Sequence, residues 1–101
     1  MKNQKRIDSE KLVERKLVEG VKQKCGMCIK LTTMIGLPDR LCIFHGGVVQ
    51  FVELKTTGEE PRKVQLYIHK KLRQMGFKVF VIDSVAGVNQ FLEQIDNANR
   101  E

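Results

Sequence analysis

The chain reads as a small α/β fold in which an antiparallel hairpin and a parallel βαβ unit share one mixed β-sheet flanked by helices. Three observations predict this. Two apolar runs, 39–45 and 48–55, meet at Gly46-Gly47, and paired glycines tolerate the positive φ that tight hairpin turns require. A polar loop and a helical stretch opened by Pro61 separate the second run from a further apolar one at 77–82, which gives strand, crossover helix and parallel strand in order. Segments with helical periodicity stand at both ends, over about 9–24 and 85–95.

At 101 residues the chain has room for one small domain, near the size at which dimerisation often supplements a single core. The expected division is a basic arm over 1–8, one domain over 9–95 and a polar tail over 96–101. Eighteen basic residues against twelve acidic ones give a net charge of +6, which suits a polyanionic partner. Nucleic acid is the first candidate and a membrane surface the second. No apolar run approaches the ~20 residues of a membrane span, and the lysine-rich start lacks a signal peptide's apolar segment, so a soluble, cytoplasmic protein is expected.

Asp8 or Ser9 can cap the first helix. At about 100° per residue, Val13, Leu17, Val18, Val21 and Cys25 share one arc with Glu10 and Glu14. Burying a carboxylate there costs several kcal/mol, on the order of a buried ion's penalty, unless a cation compensates. Residues 28–33 read as a short strand with Ile29 and Leu31 alternating against Lys30 and Thr32. Lys30 reads equally as a DNA contact or a solvent-facing lysine. Pro38 then biases Leu37 towards an extended conformation, which sets how Asp39 enters the hairpin.

With the turn at 46–47, Asp39 falls near residue 54 and within reach of Glu53. Strand alternation points Glu53 and Lys55 the same way. The helix over 61–75 carries the expected buried stripe Val64, Ile68, Leu72 and Met75, with Gln65 beside it and His69 turned away to the surface. The run over 77–82 is apolar enough to be buried on both faces. Ser84 caps a last helix whose apolar face is Val85, Val88, Phe91, Leu92 and Ile95.

Three cysteines, an odd number, argue against a disulfide framework. Cys25 and Cys28 form a C-x-x-C, the spacing of half a zinc site or of a redox pair; only Cys42, His45 and His69 could complete a zinc site. The simplest reading makes the cysteines small hydrophobes. Asp39 and Glu53, converging from separate strands, offer oxygen ligands to a hard divalent cation such as Mg²⁺. Lys55 can place positive charge on a phosphate or on an attacking water, and Gln65 can hydrogen-bond the ion's water or a phosphate.

The pattern Gly36-Leu37-Pro38-Asp39, then Val52-Glu53-Leu54-Lys55, then Gln65 resembles the virus-type replication-repair nuclease (VRR-NUC) domain of the PD-(D/E)XK nuclease superfamily. The likeness spans roughly residues 9–85, nearly the whole chain. It implies a restriction-endonuclease-like core and metal-dependent phosphodiester hydrolysis, with Mg²⁺ (or Mn²⁺ as substitute) held by Asp39, Glu53 and the backbone carbonyl of Leu54. It also implies an acidic residue from the first helix; Glu14 matches that position best, for a second ion or a water, and Glu10 lies one turn earlier. Lys55 and Gln65 complete the catalytic set. Lys11, Arg15, Lys30, Arg40, Arg62 and Lys63 are the expected DNA contacts. The resemblance further implies branched DNA, such as Holliday junctions or flaps, and a homodimer whose interface could use the last helix. The rival is a nucleic-acid-binding module without chemistry; two acids amid a phosphate-seeking surface weigh against it, because they repel the ligand.

Overall fold

Helix α1 begins where Ser9 accepts a hydrogen bond from the Leu12 N–H at 3.1 Å, which satisfies one of the helix's orphan donors, and it runs Glu10–Gln23. In this computed structural model, residues 6–98 are described. Most of the expected basic arm, residues 1–5, and the end of the tail, residues 99–101, lie outside them. Strands β1 (Met27–Lys30), β2 (Arg40–Phe44) and β3 (Val48–Leu54) follow, then α2 (Lys63–Gln74), β4 (Lys78–Ile82) and α3 (Val85–Ala98).

The four strands form one sheet in the order β1-β2-β3-β4. The first two pairings are antiparallel, and β3 pairs with β4 in parallel. This is the hairpin joined to a βαβ unit that the pattern predicts. At the hairpin turn Gly46 and Gly47 have φ of +86° and +74°, where a side chain would be strained.

Alternation along the strands divides the sheet into two unequal faces. Cys42, Phe44, Val52, Leu54 and Ile82 face one way and pack with Val13, Leu17 and Val21 of α1 and Val88, Phe91 and Ile95 of α3. Each fully buried Val, Leu or Phe contributes roughly 1.5–3 kcal/mol, so this layer holds most of the core. Gly20 lets α1 approach Leu92 of α3 closely.

The other face carries Glu53, and α2 covers only part of it. On α2 the buried residues are Gln65 and His69. Val64 is 39% and Met75 67% exposed, while Ile68 and Leu72 are half-buried, so the buried face is rotated from the expected apolar stripe towards Gln65 and His69. His69, expected at the surface, is fully buried. The reason is that α2 presents its polar side to a carboxylate. β4 departs from expectation as well. It is an edge strand whose Val81 is 40% exposed, because no further strand or full helical layer covers it.

Two more expectations change. Cys25 leaves the apolar arc of α1: it adopts φ +60° at the helix end and is exposed, while the Gly26 N–H closes the turn on Val21 O at 2.9 Å. The last helix continues to Ala98, and Val88, Phe91 and Ile95 are spent on the chain's own core. Its apolar face is therefore not the surface left for a second subunit.

The loop before β2 is seated on α2 through Gly36. This residue has φ +91°, and a Cβ there would lie 2.9 Å from Ile68 Cγ1 and 3.0 Å from Val64 O. Gly36→Ala should therefore lower stability by about 1–3 kcal/mol in urea unfolding. Gly47→Ala, with open space around its Cβ, should lose less. Equal losses would contradict the close seating of this loop.

Candidate active site

The site is assembled at the end of β3, where three elements meet. Continuing the β2–β3 register past Arg40↔Val52 sets Asp39 opposite Glu53, one residue from the position expected. Asp39 Oδ2 accepts the Leu54 N–H at 2.7 Å, which ties the acid to the neighbouring strand and leaves its other oxygen for a further partner. Lys55 continues the line of β3, its N–H donating to Ile82 O at 3.0 Å.

Glu53 is 1% exposed, and a buried carboxylate needs partners. Its Oε2 accepts from Gln65 Nε2 at 2.7 Å and lies 3.2 Å from Lys55 Nζ. Gln65 does more than brace this acid. Its Oε1 accepts from the Arg62 N–H at 2.7 Å, capping α2, and from Lys55 Nζ at 3.0 Å. Thus Glu53, Lys55 and Gln65 close a triangle, and the helix start is built into it.

The opposite oxygen, Glu53 Oε1, has no hydrogen-bond partner among the described residues; His69 Nε2 stands 3.6 Å away. Burial, and next the charge of Asp39, push the Glu53 carboxyl up to about 7, with Lys55 opposing them. Burial, followed by the charges of Arg73 and Lys55, holds His69 below its ordinary range. The imidazole beside Glu53 is accordingly neutral near pH 7.

Sequence reasoning chose between two acids on α1, and the geometry favours the other one. Glu14 lies against Arg40, its Oε2 accepting from Nη2 at 2.9 Å and Nε at 3.1 Å. Arg40 Nη1 donates to Cys28 O at 3.1 Å. Arg40 alternates onto the sheet face that α1 covers, so its charge is spent inside the protein. This corrects Glu14 as the acid facing the site and Arg40 as a DNA contact. Glu10 comes closer because the start of α1 is tied to the loop after β3. Its N–H donates to Thr56 Oγ1 at 3.2 Å, and the Asp8 N–H donates to Thr57 Oγ1 at 2.8 Å. Partial burial, then Asp39, raise the Glu10 carboxyl.

The other expected contacts lie at the protein surface. Lys11, Arg15, Lys30, Arg62 and Lys63 are exposed, and a shallow depression of about 290 Å³ on α1 is lined by Ser9, Lys11, Leu12 and Arg15. The Cys25 and Cys28 thiols do not pair. Cys28 instead faces Cys42 across β1–β2, the sulfurs 3.9 Å apart. His69 is the site residue that sequence reasoning missed. The signal was its spacing, one turn after Gln65 on the same side of the helix.

The donors present suit a divalent cation in one mode. Among the described residues no three His, Cys, Asp or Glu side chains already form a cluster able to hold an ion. Mg²⁺, however, is commonly held by one or two carboxylates and several waters. Asp39 with the unsatisfied, charge-strained Glu53 suits that mode.

Two known proteins are similar to this chain over most of its length. The chain is 37% identical over 81 residues to "Putative nuclease p44" of Acyrthosiphon pisum secondary endosymbiont phage 1, covering 78% of this chain and 87% of that protein. A solved structure described as a VRR_NUC domain superposes with a TM-score of 0.79 at 31% identity, covering 85% of this chain and 97% of that one. The chain belongs to the VRR-NUC nuclease family. No family model matches it. In this VRR-NUC domain no helix among the described residues is long and apolar enough to cross a membrane.

The raised Glu53 carboxyl makes stability depend on pH. The folded chain keeps this proton up to about 7, the unfolded chain only to about 4.5. Between those values the folded state binds more protons, so stability falls as pH rises, by on the order of 3 kcal/mol in all. In EDTA, urea unfolding should show wild-type stability dropping from pH 5 to pH 8 relative to Glu53→Gln. Parallel curves for the two proteins would contradict the burial of an ionisable Glu53.

Proposed function

We propose that this VRR-NUC domain is an Mg²⁺-dependent endonuclease that hydrolyses phosphodiester bonds in branched DNA, such as Holliday junctions or flaps, during replication or repair. The observation that carries the reading is the convergence of Asp39, Glu53, Lys55 and Gln65 at one end of β3. Asp39, Glu53 and the Leu54 carbonyl would hold Mg²⁺, with Mn²⁺ as a substitute. Bound there, the ion supplies Lewis-acid polarisation of the phosphate and a lowered pKa for its water.

The chain's own residues do the rest. Lys55 is fixed between Glu53 and Gln65, and its ammonium stands where a phosphate oxygen or nucleophilic water gains negative charge in the transition state. Gln65 holds Lys55 and Glu53 in register and so keeps both from rotating away. Asp39 and Glu53 repel each other and the DNA until a cation enters; that cost is difficult to explain in a protein that only binds nucleic acid. Lys11, Arg15, Lys30, Arg62 and Lys63 supply backbone contacts, which position DNA without reading its sequence.

Support for a homodimer comes from the apolar residues left in water. Met27, Leu66, Tyr67, Met75 and Phe77 are 40–67% exposed and belong to β1, α2 and the approach to β4. Exposed apolar groups of this kind mark interaction surfaces.

Purified protein incubated with junction, flap, nicked and plain duplex DNA, in Mg²⁺ or EDTA, tests the activity. Cleavage should require the metal and favour branched substrates. Asp39→Asn and Glu53→Gln should lower the rate at least about 100-fold, the scale seen when one transition-state contact is removed, while DNA binding persists. Light scattering on the same sample should give twice the 11.6 kDa of the chain. Binding without cleavage by the wild type would make the domain a non-catalytic DNA binder.

A further inference from the structure

His69 poses a physical problem that the reaction above does not use. It is 0% exposed, and neither ring nitrogen has a hydrogen-bond partner among the described residues. Each unmet buried group costs about 1–3 kcal/mol. An apolar side chain would fill the same space without that cost, so packing alone does not account for an imidazole here.

The surroundings of Glu53 supply an account. One of its oxygens, Oε2, is saturated by Gln65 and Lys55. The other, Oε1, is unmet, and the nearby His69 Nε2 is equally unmet. The two idle atoms face each other at 3.6 Å, a few tenths of an ångström beyond hydrogen-bond length. A neutral imidazole carrying its hydrogen on Nε2 is a donor. Gln65 and His69 then flank the same carboxylate from successive turns of α2.

We infer that His69 is a positioning residue: its Nε2–H donates to Glu53 Oε1 and fixes the roll of that carboxylate, so that Glu53 meets a divalent cation in one orientation. This rests on the metal-dependent nuclease reading. Outer hydrogen-bond partners of metal-binding carboxylates typically set affinity by 10–100-fold when lost, roughly the effect expected here.

Three substitutions separate a donor at Nε2 from mere filling of space. Glutamine carries its amide nitrogen near the position of Nε2, asparagine near that of Nδ1, and leucine fills the pocket with no donor. Calorimetric titration of Mn²⁺ into DNA-free protein should find His69→Leu and His69→Asn weakened about 10-fold or more, and His69→Gln within about threefold of wild type. Equal affinity in His69→Leu and wild type overturns the assignment, as does a His69→Gln no better than leucine. If the wild type itself binds no Mn²⁺, the metal-dependent reading falls and this inference with it. Long-range ¹H–¹⁵N spectra of the wild-type protein give a measurement that needs no variant. The hydrogen should sit on Nε2; a hydrogen on Nδ1 alone overturns the proposal.

Discussion

The structure depends on the burial of one carboxylate. Glu53 sits inside a domain of this size with about 1% of its surface in water, and removing such a charge from solvent costs several kcal/mol, on the order of the effective penalty for a buried ion, unless it is compensated. Much else in the domain follows from meeting that cost. Lys55 must be two residues on along the same line, Gln65 must lie in the first turn of α2, and α2 must turn its polar side inwards. The helix start and the site are in fact one hydrogen-bonded object, since Gln65 Oε1 accepts from both Arg62 N–H and Lys55 Nζ.

The second acid is placed by a different device. Asp39 is delivered by the hairpin register and held by the Leu54 N–H, and the loop that leads to it is anchored on α2 by Gly36. Both acids therefore sit on rigid strand ends, not on free loops, which is the arrangement that keeps a reactive geometry within fractions of an ångström. Their mutual repulsion and the burial of Glu53 raise its carboxyl to about 7. A cation between them would relieve that strain. Stability given up by burying these acids would then be the counterpart of affinity for such a cation.

Much of this was legible before any coordinates. Gly46-Gly47 announced the hairpin because paired glycines answer a backbone requirement that no other pair meets as readily; strand alternation and the hairpin register brought Asp39, Glu53 and Lys55 together, and Gln65 stood out through the resemblance to the family pattern. What escaped depended on partners distant in sequence. Arg40 looked like a DNA contact until its place on the α1 side of the sheet gave it to Glu14. Glu10 stood second to Glu14 until Thr56 and Thr57 drew the start of α1 to the end of β3. His69 was expected at the surface because helical burial is read from apolar side chains. A helix that packs against a carboxylate buries polar ones as well, so hydrophobic periodicity gave a face that includes Ile68 and Leu72 but is rotated away from Gln65 and His69.

The central claim is that Asp39 and Glu53 form one cation site at the end of β3. Anomalous diffraction from crystals soaked in Mn²⁺ tests it most directly. The account predicts an anomalous peak within ligand distance, about 2.0–2.3 Å, of an oxygen of each acid, with Lys55 and Gln65 still joined beside it. A fully occupied peak elsewhere on the domain, or crystals that take up Mn²⁺ with these two carboxylates untouched, would contradict it.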